Sequence, residues 1–337
     1  MDLPTLEKFD SKGMHKVYDM WPQIARESFE SDQNQVEFDG INHIVFAGMG
    51  GSGAIGDIIA SILSKTNIHT SVIKGYLLPK TVDSKTLVIS TSVSGNTQEI
   101  LSTLKLSNDI GCKIVAFSSG GKIKDYAIKN KIEFREISQI HSPRASFVSF
   151  LFSMLKVLSP IIPLKTDDVY ESIKELEIQS KKISSENLNQ DNPALSMAEW
   201  IIGIPLIYYP SGLQAAAIRF KNSLQENVKM HAITEDVIEA CHNGIVAWEK
   251  SSNVQPILLE GKDDYVKTKE RWNVIKDYFD ENKIDFKEVN SVNGSILSKL
   301  VNLIYFLDYT SIYKAVISNI DPSPVKSIDF IKKKINE

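Results

Sequence analysis

Two short loops in this sequence are built from residues whose chemical assets are hydroxyls and bare backbone. The first, GMGGSG at positions 48–53, follows the apolar run VFA and leads into a helix-length segment. The second, STSVSGNTQE at 90–99, follows the apolar stretch 86–89. Both read as strand, tight turn and helix start, an arrangement that leaves the first backbone N–H groups of a helix pointing outward and makes it a ready anion site. In the second loop Ser92, Ser94 and Thr97 add hydroxyl donors, enough to surround one phosphate dianion without a lysine. The alternative is that these side chains merely cap a helix, as Ser and Thr often do. In the first loop Gly50 and Gly51 allow close backbone approach, and Ser52 offers a hydroxyl contact to a sugar or phosphate.

Residues 48–53 also satisfy GxGxxG, the spelling of a dinucleotide site. That site needs an acidic side chain about 20 residues further on, at the end of the second strand, to bind the ribose hydroxyls. The corresponding stretch, Ser71-Val72-Ile73-Lys74-Gly75-Tyr76-Leu77, has no Asp or Glu. The loop is too short for a Walker lysine as well, so the anion expected here is not a dinucleotide.

The elements that must position these loops follow from periodicity. Segments 43–47, 71–73, 86–90 and 113–117 are short and rich in β-branched residues, and a helix-length segment follows most of them. That alternation predicts a parallel α/β sheet. Residues 146–158 form a strongly apolar helix, and 167–192 carry helical periodicity with little core material. The rhythm resumes at 203–209, followed by Pro210-Ser211-Gly212-Leu213-Gln214 and an Ala-rich helix start, so the two halves read as a divergent repeat. Strands at 254–259 and 285–289, helices at 265–281 and 297–317, and a short terminal helix at 328–335 complete the pattern. The expected organisation is an N-terminal helical region (1–40), a first α/β subdomain (41–160), a helical connector (161–194), a second subdomain (195–320) and a C-terminal helix (321–337). Each subdomain is expected to be a three-layer α-β-α sandwich around a parallel sheet.

Composition narrows the function. The chain has 337 residues, 42% hydrophobic and 24% charged, enough for a sizeable core in two domains. With 38 basic and 42 acidic side chains and no long Lys/Arg block, a nucleic-acid partner is not expected. The N-terminus has no signal-peptide pattern, and no run approaches the roughly 20 apolar residues of a membrane helix. Cys112 and Cys241 are too few for a disulfide framework or a cysteine metal site, which points to the cytoplasm. Neither HExxH nor a His/Glu cluster of metal spacing occurs, so no metal is expected.

Taken together, GMGGSG, SVSGNTQE and SPRA at 142–145 resemble the sugar isomerase (SIS) domain. The later motifs QENVK (225–229), EACHN (239–243) and IDFIK (328–332) are similar to those of the archaeal-type bifunctional phosphoglucose/phosphomannose isomerases, a branch of the phosphoglucose isomerase superfamily. The resemblance covers most of the chain from about residue 42. It implies two SIS-type subdomains and a metal- and cofactor-independent aldose–ketose isomerase that interconverts glucose 6-phosphate and fructose 6-phosphate through a cis-enediolate. Such chemistry needs a base, an anion stabiliser and help in opening the ring. The resemblance assigns Glu226 as the base, Arg144 as a fixed positive charge near the enediolate oxygens, and His242 as the ring-opening group, donated by the neighbouring subunit of a homodimer. Lys332 is a further catalytic candidate. Only alignment on Ile328-Asp329 separates it from Lys333 and Lys334, and a lysine run near a helix C-terminus also serves dipole compensation.

One departure stands out. Where relatives carry Thr or Gln just before the terminal helix, a feature tied to tolerance of the mannose configuration, this chain has Val325, Lys326 and Ser327. Mannose 6-phosphate is therefore left open as a substrate. Two other uses of the domain also remain: an SIS isomerase of another sugar phosphate, and a non-catalytic sugar-phosphate-binding regulator. The regulator would need a DNA-binding segment, and the only candidate, 1–40, is acidic around Glu27 to Asp32.

Overall fold

A strand that is apolar on both faces is satisfied only between two covering layers. In the computed structural model, which describes residues 1–336, the first sheet shows this directly. It contains β1 (His43–Gly48), β2 (His69–Ile73), β3 (Leu87–Ser92), β4 (Lys113–Ser118) and β5 (Glu133–Glu136), all parallel and ordered β2-β1-β3-β4-β5. Every residue of β1 and β3 is buried, and all of β4 but its first.

On one face Ala47, Ile114 and Ala116 pack with Ile100, Leu101 and Leu104 of helix Gln98–Ile110 and with Ile123 and Ala127 of helix Gly121–Lys129. The other face carries helix Gly51–Leu63, with helix Phe147–Val157 beside it, buried at every residue but Lys156. Trp21 of helix Trp21–Phe29 stacks on Phe147 with ring centroids 5.9 Å apart. These elements belong to one compact unit, Met20–Glu177 with Gly294–Val301.

The second unit comprises Met1–Asp19, Ile178–Asn293 and the chain from Asn302 on. Its parallel sheet holds β6 (Ile204–Tyr209), β7 (Ile233–Asp236), β8 (Val254–Glu260) and β9 (Lys287–Asn290) in the order β7-β6-β8-β9. Taken in chain order, this is the winding of the first four strands of the first sheet, which is the structural content of the repeat read in the sequence. Leu206, Tyr208 and Leu258 meet Trp272, Ile275 and Phe279 of helix Val266–Glu281. The sequence pattern did not mark β5 or β7. Each is four residues long, EFRE and ITED, with too few apolar side chains to register as a strand.

Helix Ile296–Ile317 is long and apolar enough to cross a bilayer by length and composition, which the expectation of no such run did not foresee. Within the fold, 83% of its apolar window is buried. Its tyrosines at i, i+4 and i+8 use their hydroxyls as ties: Tyr305 donates to the Tyr18 carbonyl at 2.8 Å, Tyr309 bonds Asp19, and Tyr313 donates to the Ile183 carbonyl at 2.7 Å. Asp308 on the same helix is 0% exposed. It is matched by Arg219, itself 3% exposed, whose Nη2 and Nε lie 2.8 and 3.1 Å from Oδ2.

Removing one member of a buried ion pair strands the other charge, whereas removing both leaves an apolar contact. Asp308→Leu is therefore expected to destabilise the fold by about 3–5 kcal/mol in urea denaturation, and adding Arg219→Met to recover most of that loss.

Candidate active site

β1 and β3 are neighbours, yet the chain leaves them in opposite directions, from β1 toward the edge strand β2 and from β3 toward β4. Loops that part in this way open a crevice at the carboxyl ends of the strands, where open parallel sheets bind ligands. Both glycine- and hydroxyl-rich loops begin there, since Gly48 pairs with Thr91 in the register of β1 and β3.

In the first loop Gly50 adopts φ +54° at the N-cap of helix Gly51–Leu63, and no side chain caps that helix. Close packing falls on two other glycines. A Cβ on Gly48 would lie 2.7 Å from the Ser52 backbone, and one on Gly53 2.7 Å from the Gly48 carbonyl oxygen. This contact is between strand and helix, and is distinct from the backbone approach to a ligand expected at Gly50 and Gly51. Ser52 is buried in the first turn, its N–H donating to the Met49 carbonyl at 3.1 Å.

In the second loop Ser92 and Thr97 share a hydrogen bond of 2.8 Å between their hydroxyls, and Ser92 Oγ also accepts from the Gly95 N–H at 3.2 Å. Ser94 is exposed, and its Oγ accepts from the Asn96 N–H at 3.4 Å. Thr97 occupies the N-cap of helix Gln98–Ile110, but its side chain makes no capping bond. Simple helix capping therefore does not describe this residue.

A third loop, which the motifs did not single out, completes this edge. Ser118 Oγ donates to the Gly120 carbonyl at 2.7 Å and Ser119 Oγ to the Val93 carbonyl at 2.6 Å, while the Lys122 N–H donates to Asn96 Oδ1 at 3.3 Å. The available signal was SSGG at 118–121, another run of small residues directly after a strand.

Arg144, only 6% exposed, lies in the turn that leads into helix Phe147–Val157. Ser146 knots that turn: its Oγ accepts from the Ile140 N–H at 2.8 Å and lies 3.0 Å from the carbonyls of Ile140 and Ser142. Gly51, Ser52, Ser92, Ser94, Thr97 and Arg144 all belong to the first unit.

Glu226, His242 and Lys332 belong to the second. Glu226 is half-buried in a single π-helical turn, Leu224–Val228, continuous with helix Gln214–Ser223, rather than in a free turn. His242 is exposed, just after the short helix Val237–Ala240. The next residue, Asn243, accepts from the Gly244 N–H at 2.5 Å and donates to Glu239 Oε1 at 2.7 Å. Because β6 and β7 are parallel, the chain must return to the amino end of β7 before entering it, and Glu226 lies on that return. His242 follows the carboxyl end of β7, so the two residues sit at opposite ends of this strand. Lys332 is on the exposed helix Lys326–Asn336, as are Lys333 and Lys334, and exposure does not distinguish them. Val325 directly precedes that helix, and Lys326 and Ser327 begin it.

The residue that follows β2 is Lys74, ion-paired with Asp57 at 2.5 Å, so a cation stands where a dinucleotide site needs an acid.

Two sheets of one winding, with hydroxyl- and glycine-lined loops at the carboxyl ends of the first, define an SIS-type α/β protein. The structure matches the C-terminal domain of glucosamine-fructose-6-phosphate aminotransferase from Francisella tularensis with a TM-score of 0.68, covering 90% of this chain and 95% of that one at 17% identity. Residues 190–335 match the family described as the bacterial phospho-glucose isomerase C-terminal SIS domain. This chain belongs to the bifunctional phosphoglucose/phosphomannose isomerase family. It is 33% identical to the protein of that name from Caldicellulosiruptor bescii, covering 95% of this chain and 98% of the relative. It is 29% identical to the one from Aquifex aeolicus, covering 91% and 97%.

Gly95 has φ +67°, and a Cβ there would fall 1.8 Å from the Gly120 carbonyl oxygen. Gly95→Ala is expected to cost on the order of 1–3 kcal/mol from backbone conformation alone, before the clash is counted. Denaturation should register that loss, and titration with inorganic phosphate should show weakened binding if this loop holds the anion.

Proposed function

We propose that this chain is a metal-independent isomerase that interconverts glucose 6-phosphate and fructose 6-phosphate, and mannose 6-phosphate with fructose 6-phosphate. The observation that carries the reading is the hydroxyl-lined helix start at Thr97, whose own side chain leaves the helix uncapped, placed at the β1/β3 crevice in a chain of this family. Backbone amides and the Ser94 and Thr97 hydroxyls would hold the phosphate, with Ser92 shaping the loop from beneath and Gly51 and Ser52 bordering the sugar. Arg144 supplies a permanent positive charge for the enediolate oxygens.

Glu226 takes the proton from C2 of the open-chain aldose. The C–H electron pair becomes the C1=C2 bond, and the carbonyl oxygen on C1 is protonated. Return of a proton to C1, with loss of one from O2, yields the ketose. No electron leaves the sugar, so no cofactor is consumed. C2 is planar in the enediolate, and protonation on either face gives the glucose or the mannose configuration. The departure at Val325, Lys326 and Ser327 bears on the balance between the two epimers.

His242 opens the ring. Its exposure, and its place at the end of β7 opposite Glu226, support a homodimer in which each copy lends His242 to the other. Lys332 assists from the terminal helix. Cys112 and Cys241 are both free thiols, in keeping with a reducing cytoplasm.

The test is a coupled assay with fructose 6-phosphate in the presence of EDTA. Glucose 6-phosphate should form, and Glu226→Gln should lower kcat by about 10²–10⁴-fold; a variant that keeps most of its activity would overturn the mechanism. Mixed His242→Ala and Glu226→Gln subunits should regain part of the lost activity, because one hybrid site draws intact groups from both chains. Subunit exchange without recovery would sink the shared site. A parallel run with mannose 6-phosphate decides the second substrate.

A further inference from the structure

The π turn that carries Glu226 is held from the side by one helix. Asp308 of helix Ile296–Ile317 accepts from Arg219 at 2.8 Å, from Ser223 Oγ at 2.5 Å and from Tyr18 OH at 3.0 Å. Arg219 and Ser223 are one turn apart on helix Gln214–Ser223, directly before the π turn. Three residues after Asp308, Ser311 Oγ donates to the Asp308 carbonyl at 2.6 Å and accepts from Asn227 Nδ2 at 2.8 Å. Asn227 is 0% exposed and adjoins Glu226 in sequence. Burial alone would lower the pKa of the Arg219 guanidinium, but the Asp308 carboxylate that it bonds raises it on balance, with Glu226 adding a smaller effect of the same sign.

A single π turn inside a helix is a less common, locally strained form and recurs at functional sites. It holds one residue more than an α turn. If it relaxed to α, the side chains within it, Glu226 among them, would turn about the axis relative to helix Gln214–Ser223. Something must keep Leu224–Val228 in the wider form, and the polar ties on Arg219, Ser223 and Asn227 bracket it at both ends.

We infer that Asp308 and Ser311 are positioning residues for Glu226: Asp308 fixes the Arg219 guanidinium and Ser311 fixes Asn227, and together they hold the π turn in the register that aims the Glu226 carboxylate. The inference rests on the reading of Glu226 as the base. Neither Asp308 nor Ser311 touches substrate. Their effect passes through Arg219 and Asn227.

Asp308 is a poor probe because its loss strands a buried cation, so the experiment uses Ser311→Ala and Asn227→Leu in the full chain, singly and together, with Glu226→Gln as reference. Initial rates are measured with fructose 6-phosphate across the neutral pH range, and each variant is melted thermally. Ser311→Ala should lower kcat by about ten- to a hundredfold, as misplacement of a catalytic group does, leave KM nearly unchanged and shift the acid limb of the kcat/KM profile. The double variant should lose no more than the worse single one, since both changes break the same tie. Unchanged kcat and pH profile in Ser311→Ala, a loss that merely follows the fraction unfolded, or independent losses that multiply in the double variant would each overturn the inference. Glu226→Gln separates the two ideas. If it is inactive while Ser311→Ala behaves as wild type, only the positioning role fails; if it stays active, the base is misassigned and the positioning role falls with it.

Discussion

Parallel strands cannot be joined by a tight hairpin, so within each sheet the chain must return to the opposite end before it enters the next strand. That constraint sets the chemistry of each edge. Carboxyl ends of strands collect the turns and the helix starts, which are rich in unsatisfied N–H groups and carry the positive end of the helix dipole. In the first unit the loops after β1, β3 and β4 are rich in Gly, Ser, Thr and Asn, residues small enough to let backbone reach an anion. The amino edge collects the ends of the return helices. In the second unit the return from β6 to β7 ends in the π turn bearing Glu226, while His242 follows the far end of β7.

A carboxylate taken out of water must find donors or stay protonated. Asp308 finds Arg219, Ser223 and Tyr18, donors drawn from two other elements: Tyr18 from helix Met14–Asp19, Arg219 and Ser223 from helix Gln214–Ser223. The tyrosine stripe of the same helix ties Tyr18, Asp19 and Ile183. A hydrophobic contact can slide by a side-chain width with little loss. Hydrogen bonds of this kind cannot, because a shift of an ångström leaves a buried partner unmatched. Polar ties inside an apolar helix thus fix register where apolar packing alone would only supply cohesion, and the register they fix includes the turn at Glu226.

The strands that position the loops were legible because each is a compact apolar run ended by glycine or serine, as in HIVFAG and LVISTS. The short edge strands EFRE and ITED were not, since a strand paired on one side and partly exposed has no need of an apolar pattern. Within the site, hydroxyl composition marked the loop at Ser92 to Thr97, but composition is silent on which hydroxyl bonds which partner. The pairing of Ser92 with Thr97, and Thr97's failure to cap its helix, appear only in three dimensions. The role of Arg219 was hidden for another reason. Its partner Asp308 lies 89 positions away, and only the oddity of one acid inside LVNLIYFLDYTSIY hinted that a buried cation must exist.

GxGxxG spelling describes a turn, not a ligand. Any chain that passes from a buried strand into a helix with close strand-to-helix contact needs small residues at its ends, and Gly48 and Gly53 meet that need through each other. What selects the ligand is the neighbouring strand end. A dinucleotide requires an acceptor there for its ribose hydroxyls; here β2 ends at Ile73 and the next side chain is Lys74, whose charge is taken up by Asp57 from the helix that the glycine loop begins. The side chain at this strand end is thus a donor and not the acceptor a ribose needs, and on the other side of β1 the loop after β3 supplies neutral hydroxyl and amide donors. Neutral donors suit a small dianion that must be released after each turnover, because they stabilise it without the tight, desolvated pairing a buried lysine would add. Under the proposed function the same glycines border a phosphosugar crevice, and the residues on either side of them are what distinguish it from a dinucleotide site.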